Sequence, residues 1–356
     1  MTANPIWRFP LLRLISTAIA IFLLAGCDKA QNRNDQQTRS QADKSLRFAQ
    51  LPISYSAVTF IAETKGYYKT GTIDYRSFSV PAGPDIVTSL KGTGSAAADC
   101  GGIAVTPVIT MIGAGDKPVV IATTLVSNYQ AKLITFSDTA ITQDPASLKG
   151  KKIGVVKNTN GDVYLSRLLK KGGLARTDVV LVNGRPADLR NLFLQGAIDA
   201  AVIWDPFIIQ AKREYQKLLA GNTNKSRGDV LVLVDPTLHT LAFNIVATRA
   251  TCEKKKAELI EFLKGTTKGE EFIRAQPKDA QRLLEQWLSL ESGDLNDLMA
   301  TTEFRVHLNV PQMKQWLGEE LAWLKETQPD TMIPDDLSPF VDSSFLKSID
   351  PKRVQE

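Results

Sequence analysis

Histidine and cysteine are scarce in this chain, two and three respectively in 356 residues. Neither His239 nor His307 has a cysteine or carboxylate neighbour at metal-ligand spacing, so the sequence offers no metal site. A G-x-S-x-G elbow and a P-loop are both missing. GKKIGVVK lacks the closing Gly-Lys-Ser/Thr, and GTGSAAADCGG does not have the G-x-G-x-x-G order. No catalytic residue, metal or resident cofactor is therefore expected. Cys100 with a distant histidine is the one weak nucleophile pattern left. Charge of one sign is missing too: 43 basic residues stand against 38 acidic ones, with no basic stripe interleaved with aromatics. Nucleic acid is not an expected partner.

The most pointed local signal is at the start. Arg8 and Arg13 precede an apolar run, Leu14 to Leu24, followed by Ala25, Gly26 and Cys27. Basic, apolar and small in that order reads as an export signal too short for a membrane span. Leu24-Ala25-Gly26-Cys27 resembles a bacterial lipobox. That resemblance implies a signal peptide over 1–26, lipidation of Cys27 and, with Asp28 next to it, retention at the inner membrane facing the periplasm or outside. Residues 27–45 carry almost nothing apolar and read as a flexible tether. Export permits a disulfide between Cys100 and Cys252. Two separate buried thiols are the plainer reading, since nothing in the spacing brings their Cα atoms within bridging range.

From Leu46 onward, strands and helices alternate. LRFAQ, IDYRSFSV and Val119 to Val126 read as strands, with helices near Val58–Tyr68, Asp85–Lys91 and Thr106–Gly113 between them. A second block, Ser147 to Asp235, repeats the alternation, and after the strand Leu241 to Thr248 the chain is mostly helical. The pattern predicts an α/β fold of βαβ units with largely parallel sheets. Ligands in such folds lie beyond the carboxyl ends of strands, near helix N-termini. Four segments fit that address: 52–56 with Ser54, Tyr55 and Ser56; 80–84 with Gly83; Cys100-Gly101-Gly102 with Thr106; and Asn158-Thr159-Asn160. Singly, each residue is as well explained as a helix cap or turn. Jointly, one fold would aim all four at one cleft.

LKGKKIGVVKNTNGDVYLSRLLKKGGL, then DVVLV, a spacer and LQGAIDAAVIWDPF, resembles the nitrate/sulfonate/taurine-type solute-binding proteins of ABC importers. AETKGYYKTGTIDY and DCGGIAVTPVITMIGAGDKPVVIAT fit the same pattern upstream. The resemblance implies a two-lobed type II periplasmic-binding-protein-like fold. Each lobe would be a mixed, mostly parallel sheet flanked by helices, with a helical C-terminal segment. Lobe 1 would comprise 46–136 and 239–356, and lobe 2 137–238, with crossings near 136–141 and 235–240. It implies a monomer that takes a small solute, sulfonate-like or nitrogenous and heteroaromatic, and meets an ABC permease and ATPase while held to the membrane by its lipid. By position, Ser54, Tyr55, Ser56, Gly101, Gly102, Thr106, Asn158, Thr159 and Asn160 match ligand loops, and Trp204-Asp205 matches a Trp-Glu segment. Tyr55, Tyr164 and Trp204 could stack on a ring or cation. Asn-Thr-Asn in place of a Gly-Ser type, Asp205 in place of Glu, and Cys100 where an apolar residue is usual leave the solute open. An enzyme on the same scaffold, or a sensory lipoprotein contacting a membrane receptor, are the alternatives.

Overall fold

The computed structural model describes residues 44–221 and 227–356; the expected signal segment, Cys27 and the tether up to residue 43 lie outside the described residues. Strands β1 (Ser45–Gln50), β2 (Asp74–Ser79), β3 (Cys100–Ala104) and β4 (Pro118–Ser127) come first, followed by β5 (Lys132–Phe136), β6 (Lys152–Val155), β7 (Val180–Asn183), β8 (Ala200–Ile203) and β9 (Val230–Leu233). The last are β10 (Leu241–Thr248), β11 (Glu303–Asn309) and β12 (Val354–Gln355). They make a seven-stranded sheet, β12-β11-β4-β10-β3-β1-β2, and a five-stranded sheet, β7-β6-β8-β5-β9.

Both sheets use one plan. β1 is flanked by its parallel neighbours β2 and β3, and β6 by its parallel neighbours β7 and β8. An antiparallel strand from the other half of the lobe then follows, β10 beside β3 and β5 beside β8. Each parallel strand runs into a helix: α1 (Ala57–Thr64), α2 (Gly83–Lys91) and α3 (Val105–Gly113) in the first lobe, α4 (Asn160–Lys171), α5 (Pro186–Leu194) and α6 (Phe207–Gly221) in the second. The first lobe ends in α7 (Arg249–Lys254), α8 (Lys256–Ala275), α9 (Pro277–Trp287), α10 (Asn296–Thr301), α11 (Val310–Thr327) and α12 (Ser344–Lys347).

Sheets covered on both faces need strands that are apolar on both sides. β8 shows it. Ala200 and Val202 pack with Leu133, Leu165 and Leu169 under α4, while Ala201 and Ile203 join Phe136, Leu189, Phe193 and Ile208 under α5 and α6. On α11, Met313, Leu317, Leu321 and Leu324 form a buried stripe at helical spacing, and Glu320 is buried on the same helix.

Two features depart from the sequence reading. The first crossing was expected at 136–141. Lys132–Phe136 instead pairs antiparallel with β8 and β9, so the chain changes lobe at 128–131. Alternation marks a strand, but the partner strands decide which sheet takes it. The second is in the tail, where β11 and β12 extend the first sheet. Val306 and Leu308 point into the core at period two, and the backbone N–H of Val306 is held by the buried Glu270 carboxylate at 2.9 Å. The other passage between sheets runs through 234–240, from β9 to β10.

Helix α8 lies on α1 through two glycines. A Cβ at Gly265 would stand 2.5 Å from the Tyr68 ring, and one at Gly269 would collide with the Val58 carbonyl. Backbone cannot yield as a flexible side chain can. Gly269→Ala should therefore lower stability by about 1–3 kcal/mol despite the better helix propensity of alanine, as read by the urea midpoint. An unchanged midpoint would show that the helices slide apart freely.

Candidate functional site

Parallel strands place their carboxyl ends on one edge, and here those edges face each other across a gap between the lobes. Leu51, Ile53 and Tyr55 after β1, Gly83 at the start of α2, Ala104 and Pro107 around the start of α3, Thr159 and Asn160 at the start of α4, Trp204 after β8 and Phe243 of β10 line one small cavity. Three of the four segments expected from sequence thus reach the same gap, through Ile53 and Tyr55, Gly83, and Thr159 with Asn160; the Cys100-Gly101-Gly102 and Thr106 segment contributes only its neighbours Ala104 and Pro107, and Trp204 joins them. The start of α3 and the turn before α1 lack a side-chain cap hydrogen bond, whereas Asp85 accepts from the Ala82 N–H at 3.0 Å at the start of α2 and Asp162 from the Asn158 N–H at 3.1 Å at the start of α4. Uncapped helix starts present N–H groups and the positive ends of their dipoles.

The cavity is tight. About 20 Å³ is open to the centre of a water-sized sphere, room for roughly one water. Gly83 is part of the reason: a Cβ there would lie 2.5 Å from the Pro107 ring. Two residues lining the gap carry a buried donor without a hydrogen-bond partner, Nδ2 of Asn160 and Nε1 of Trp204. The hydroxyls of Ser54 and Ser56, either side of Tyr55, are also unpartnered but are not part of the lining. A buried donor without a partner is costly. Two on one gap, one from α4 and one after β8, point to a guest.

The residues of the gap are also tied to the crossings. The Tyr55 hydroxyl donates to the Gln130 carbonyl at 2.9 Å, in the first crossing. Burial, with Asp205 nearby, pushes the Tyr55 pKa up, so the phenol remains a donor. Gln130 in turn donates to Thr302 of the C-terminal half at 3.2 Å.

A family model described as NMT1/THI5 like matches residues 53–280. The chain belongs to the NMT1/THI5-like family. It is 28% identical to a candidate binding protein of Brucella abortus, over 67% of this chain and 70% of that one. It is 25% identical to a candidate aliphatic sulfonates-binding protein of Bacillus subtilis, over 94% and 95%. A yeast relative, 27% identical over 64% and 66%, is named as a 4-amino-5-hydroxymethyl-2-methylpyrimidine phosphate synthase. Among solved structures, the alkanesulfonate-binding protein of Xanthomonas axonopodis bound to MOPS superposes with a TM-score of 0.69 at 19% identity, over 85% of this chain and 99% of that one. The fold is the two-lobed periplasmic-binding-protein fold.

For this member of the NMT1/THI5-like family, several residues expected at the solute lie elsewhere. Gly101 and Gly102 are in the core of β3: a Cβ at Gly101 would strike Ile86 at 2.5 Å, and one at Gly102 would crowd Phe243 and Phe48. They are glycines so that α2 and two phenyl rings can approach the strand. Thr106 is fully buried and its hydroxyl donates to Glu320 at 2.6 Å, away from the gap. Asn158 adopts a positive φ of 60° and its side-chain oxygen accepts from Gln328 at 3.0 Å. Tyr164 packs inside the second lobe, where its hydroxyl accepts from the backbone N–H of Asp235 at 2.9 Å. It steadies the second crossing instead of stacking on a guest. Asp205 turns away from Trp204 into a larger polar cavity of about 450 Å³ between α6 and the 293–298 segment, where Lys132 meets it at 2.8 Å.

Sequence reasoning missed most of the apolar lining, Leu51, Ala104, Pro107 and Phe243, because apolar residues beside strands look like core. It also missed Lys132, which no motif marks. Cys100 and Cys252 are unpaired buried thiols. Burial raises the Cys100 pKa well above its ordinary value and pushes that of Cys252 up to about 12, so neither offers a thiolate near neutrality. Among the described residues no cluster of three His, Cys, Asp or Glu could hold a metal.

Lys132 and Asp205 are mostly buried; the lysine meets Oδ2 of Asp205, and Oδ1 has no hydrogen-bond partner. Removing the lysine strands the carboxylate. A double-mutant cycle with Lys132→Met and Asp205→Asn should give a coupling of about 1–2 kcal/mol, measured by denaturant unfolding. Additive effects would mean the pair contributes nothing to the stability of this edge.

Proposed function

We propose that the chain captures a small organic solute between its lobes and hands it to an ABC importer, and that the solute carries an anionic or acceptor-rich head of the sulfonate type. The observation that carries this reading is the pair of orphaned donors on the lining of one gap, Asn160 Nδ2 and Trp204 Nε1. The start of α3 adds positive potential from the first lobe. Tyr55, Ile53, Leu51 and Phe243 supply an apolar wall for the rest of the solute. The gap is too small for an organic molecule as it stands, so entry requires the lobes to part about the crossings at 128–131 and 234–240.

The relatives named as sulfonate-binding proteins support the same reading. We extend it to the whole particle: an exported monomer with its signal peptide over 1–26, lipidated at Cys27 and tethered on the inner membrane through residues 27–45, facing a permease and ATPase. Growth with radiolabelled palmitate should label the native chain and leave Cys27→Ser unlabelled; label on the variant would remove the anchor from this account.

The similarity to a yeast pyrimidine synthase favours one second reading, an enzyme on the same scaffold. Turnover of pyrimidine precursors that is lost in His239→Ala would establish it.

Calorimetry against alkanesulfonates, nitrate and pyrimidines separates these classes. A bound solute raises apparent stability by mass action. Asn160→Ala and Trp204→Phe each remove one donor to a charged head, worth about 1.5–3 kcal/mol, so affinity should fall roughly ten- to a hundredfold. The unliganded melting temperature should stay or rise slightly, because each change deletes an unpaired buried donor. Unaltered affinity in both variants would place the solute elsewhere.

A further inference from the structure

A second polar cavity, about 220 Å³, lies behind the gap at the other crossing. It is lined by Arg167 of α4, by Thr237, Leu238, His239 and Thr240 of the crossing, and by Gln315, Trp316, Glu319 and Glu320 of α11. Second lobe, crossing and C-terminal helix therefore meet at one spot. Arg167 donates to the Leu238 carbonyl at 2.9 Å and reaches His239 Nδ1 at 3.5 Å. Its other nitrogen is 3.9 Å from Glu319, a half-exposed carboxylate. Glu320 is buried, accepts from Thr106 at 2.6 Å and has its other oxygen 4.0 Å from His239. The same Thr106 sits in the first turn of α3, whose neighbours Ala104 and Pro107 form a wall of the gap.

This arrangement is poor for a charged Glu320. The titratable or charged groups facing it are Arg167 from α4, His239 from the crossing and Glu319 from its own helix. His239 is no counter-ion: burial, reinforced by Arg167, lowers its pKa to about 3, so it is neutral. Arg167 is drawn off to Leu238 and Glu319. Burial pushes the Glu320 carboxyl up to about 7, against the pull of Thr106 and Arg167.

We propose that Glu320 is a proton-operated latch on lobe closure, neutral in the shut form and ionised once the lobes part and water reaches it. The inference rests on the reading of two lobes closing on a solute, and names how that same site is regulated. When the lobes separate, α4 and the crossing withdraw from α11, and Glu320 returns towards the ordinary carboxylate range. The shut form then holds a proton that the open form lacks at pH values between 4.5 and about 7. Falling pH through that window favours closure, and the advantage is gone above pH 7. His239 pulls the other way: its burial is lost when the crossing withdraws, so in the open form it returns towards the ordinary imidazole range, takes up a proton below about 6.5 and offsets part of the carboxyl's effect, while Arg167 is always charged.

Ethanesulfonate is a suitable probe, since its charge is constant across this range. By calorimetry the native chain should bind it about two- to threefold more tightly at pH 6 than at pH 8, the carboxyl's gain outweighing the imidazole's loss, and Glu320→Gln should reverse the sign, binding less tightly at pH 6 than at pH 8. Arg167→Gln, at a partly exposed position, is the second variant should Glu320→Gln fail to fold. It removes the one charge that favours ionised Glu320, so the transition should move to higher pH. A native affinity that does not rise towards pH 6, a preference for pH 6 that persists in Glu320→Gln, or an unmoved transition in Arg167→Gln overturns the latch. If ethanesulfonate binds at no pH, the solute class proposed above fails and small-angle scattering of the unliganded chain decides the latch. A smaller radius of gyration at pH 6 than at pH 8, lost in Glu320→Gln, supports it; equal radii overturn it.

Discussion

Parallel strands send all their carboxyl ends to one edge of a sheet, and each crossover helix must begin there. That constraint builds the cleft. β1, β2 and β3 deliver three chain segments to the edge of one lobe, and β6 and β8 deliver two to the edge of the other. The antiparallel strands β5 and β10, each entering from the opposite half, turn the two edges towards each other. Helix starts then face a common space, that of α3 and the turn before α1 without a side-chain cap and those of α2 and α4 with only Asp85 and Asp162 to accept from them. Their N–H groups and dipoles are wasted unless something accepts from them. The donors orphaned beside them, Asn160 Nδ2 and Trp204 Nε1, follow the same logic. A fold that leaves such groups dry and unpartnered is less stable than it could be, and binding a guest with acceptor oxygens relieves the deficit.

The two passages between lobes are held by side chains that a sequence reader assigns to the solute. Tyr55 ties the first crossing through Gln130, and Tyr164 ties the second through Asp235. Arg167 adds a hydrogen bond to Leu238 in that second crossing. The crossings are thus clasped from within the lobes rather than left as loose connections. Lobe motion must pivot about these bonds or break them. Each is worth only about 0.5–1.5 kcal/mol, small enough for solute binding to shift the balance between shut and parted forms.

Much of this was legible in the sequence, for identifiable reasons. Four segments were expected to share one cleft because helix-start chemistry recurred after four strands, and Tyr55, Gly83, Thr159, Asn160 and Trp204 do meet there. Gly101 and Gly102 were misplaced because a glycine that admits a ligand and one that admits Ile86 or Phe243 look alike in one dimension. Thr106 was misplaced because its partner, Glu320, lies over two hundred positions away on a helix whose stripe reads as plain core. The strand β5 was set on the wrong side of the first crossing because period two has no memory of which sheet it pairs into. What local pattern conveys is the element and the end of the strand; what it omits is the long-range partner.

Glu320 and the orphaned donors express one physical condition in opposite ways. Both sit where water is excluded and the effective dielectric is low, so both are expensive. The donors retain their state, because an amide or indole N–H has no proton to exchange near neutrality, and only a guest can satisfy them. The carboxyl has another route: it can take up a proton and become neutral. A cleft and a hinge packed around the same helix α3 therefore respond to two different small partners, a solute on one side and a proton on the other. Because Thr106 and the wall residues Ala104 and Pro107 share the first turn of that helix, neither response can occur without displacing the other's surroundings. Closure about one pivot makes the two binding events thermodynamically reciprocal: whatever the proton does for the solute, the solute does for the proton.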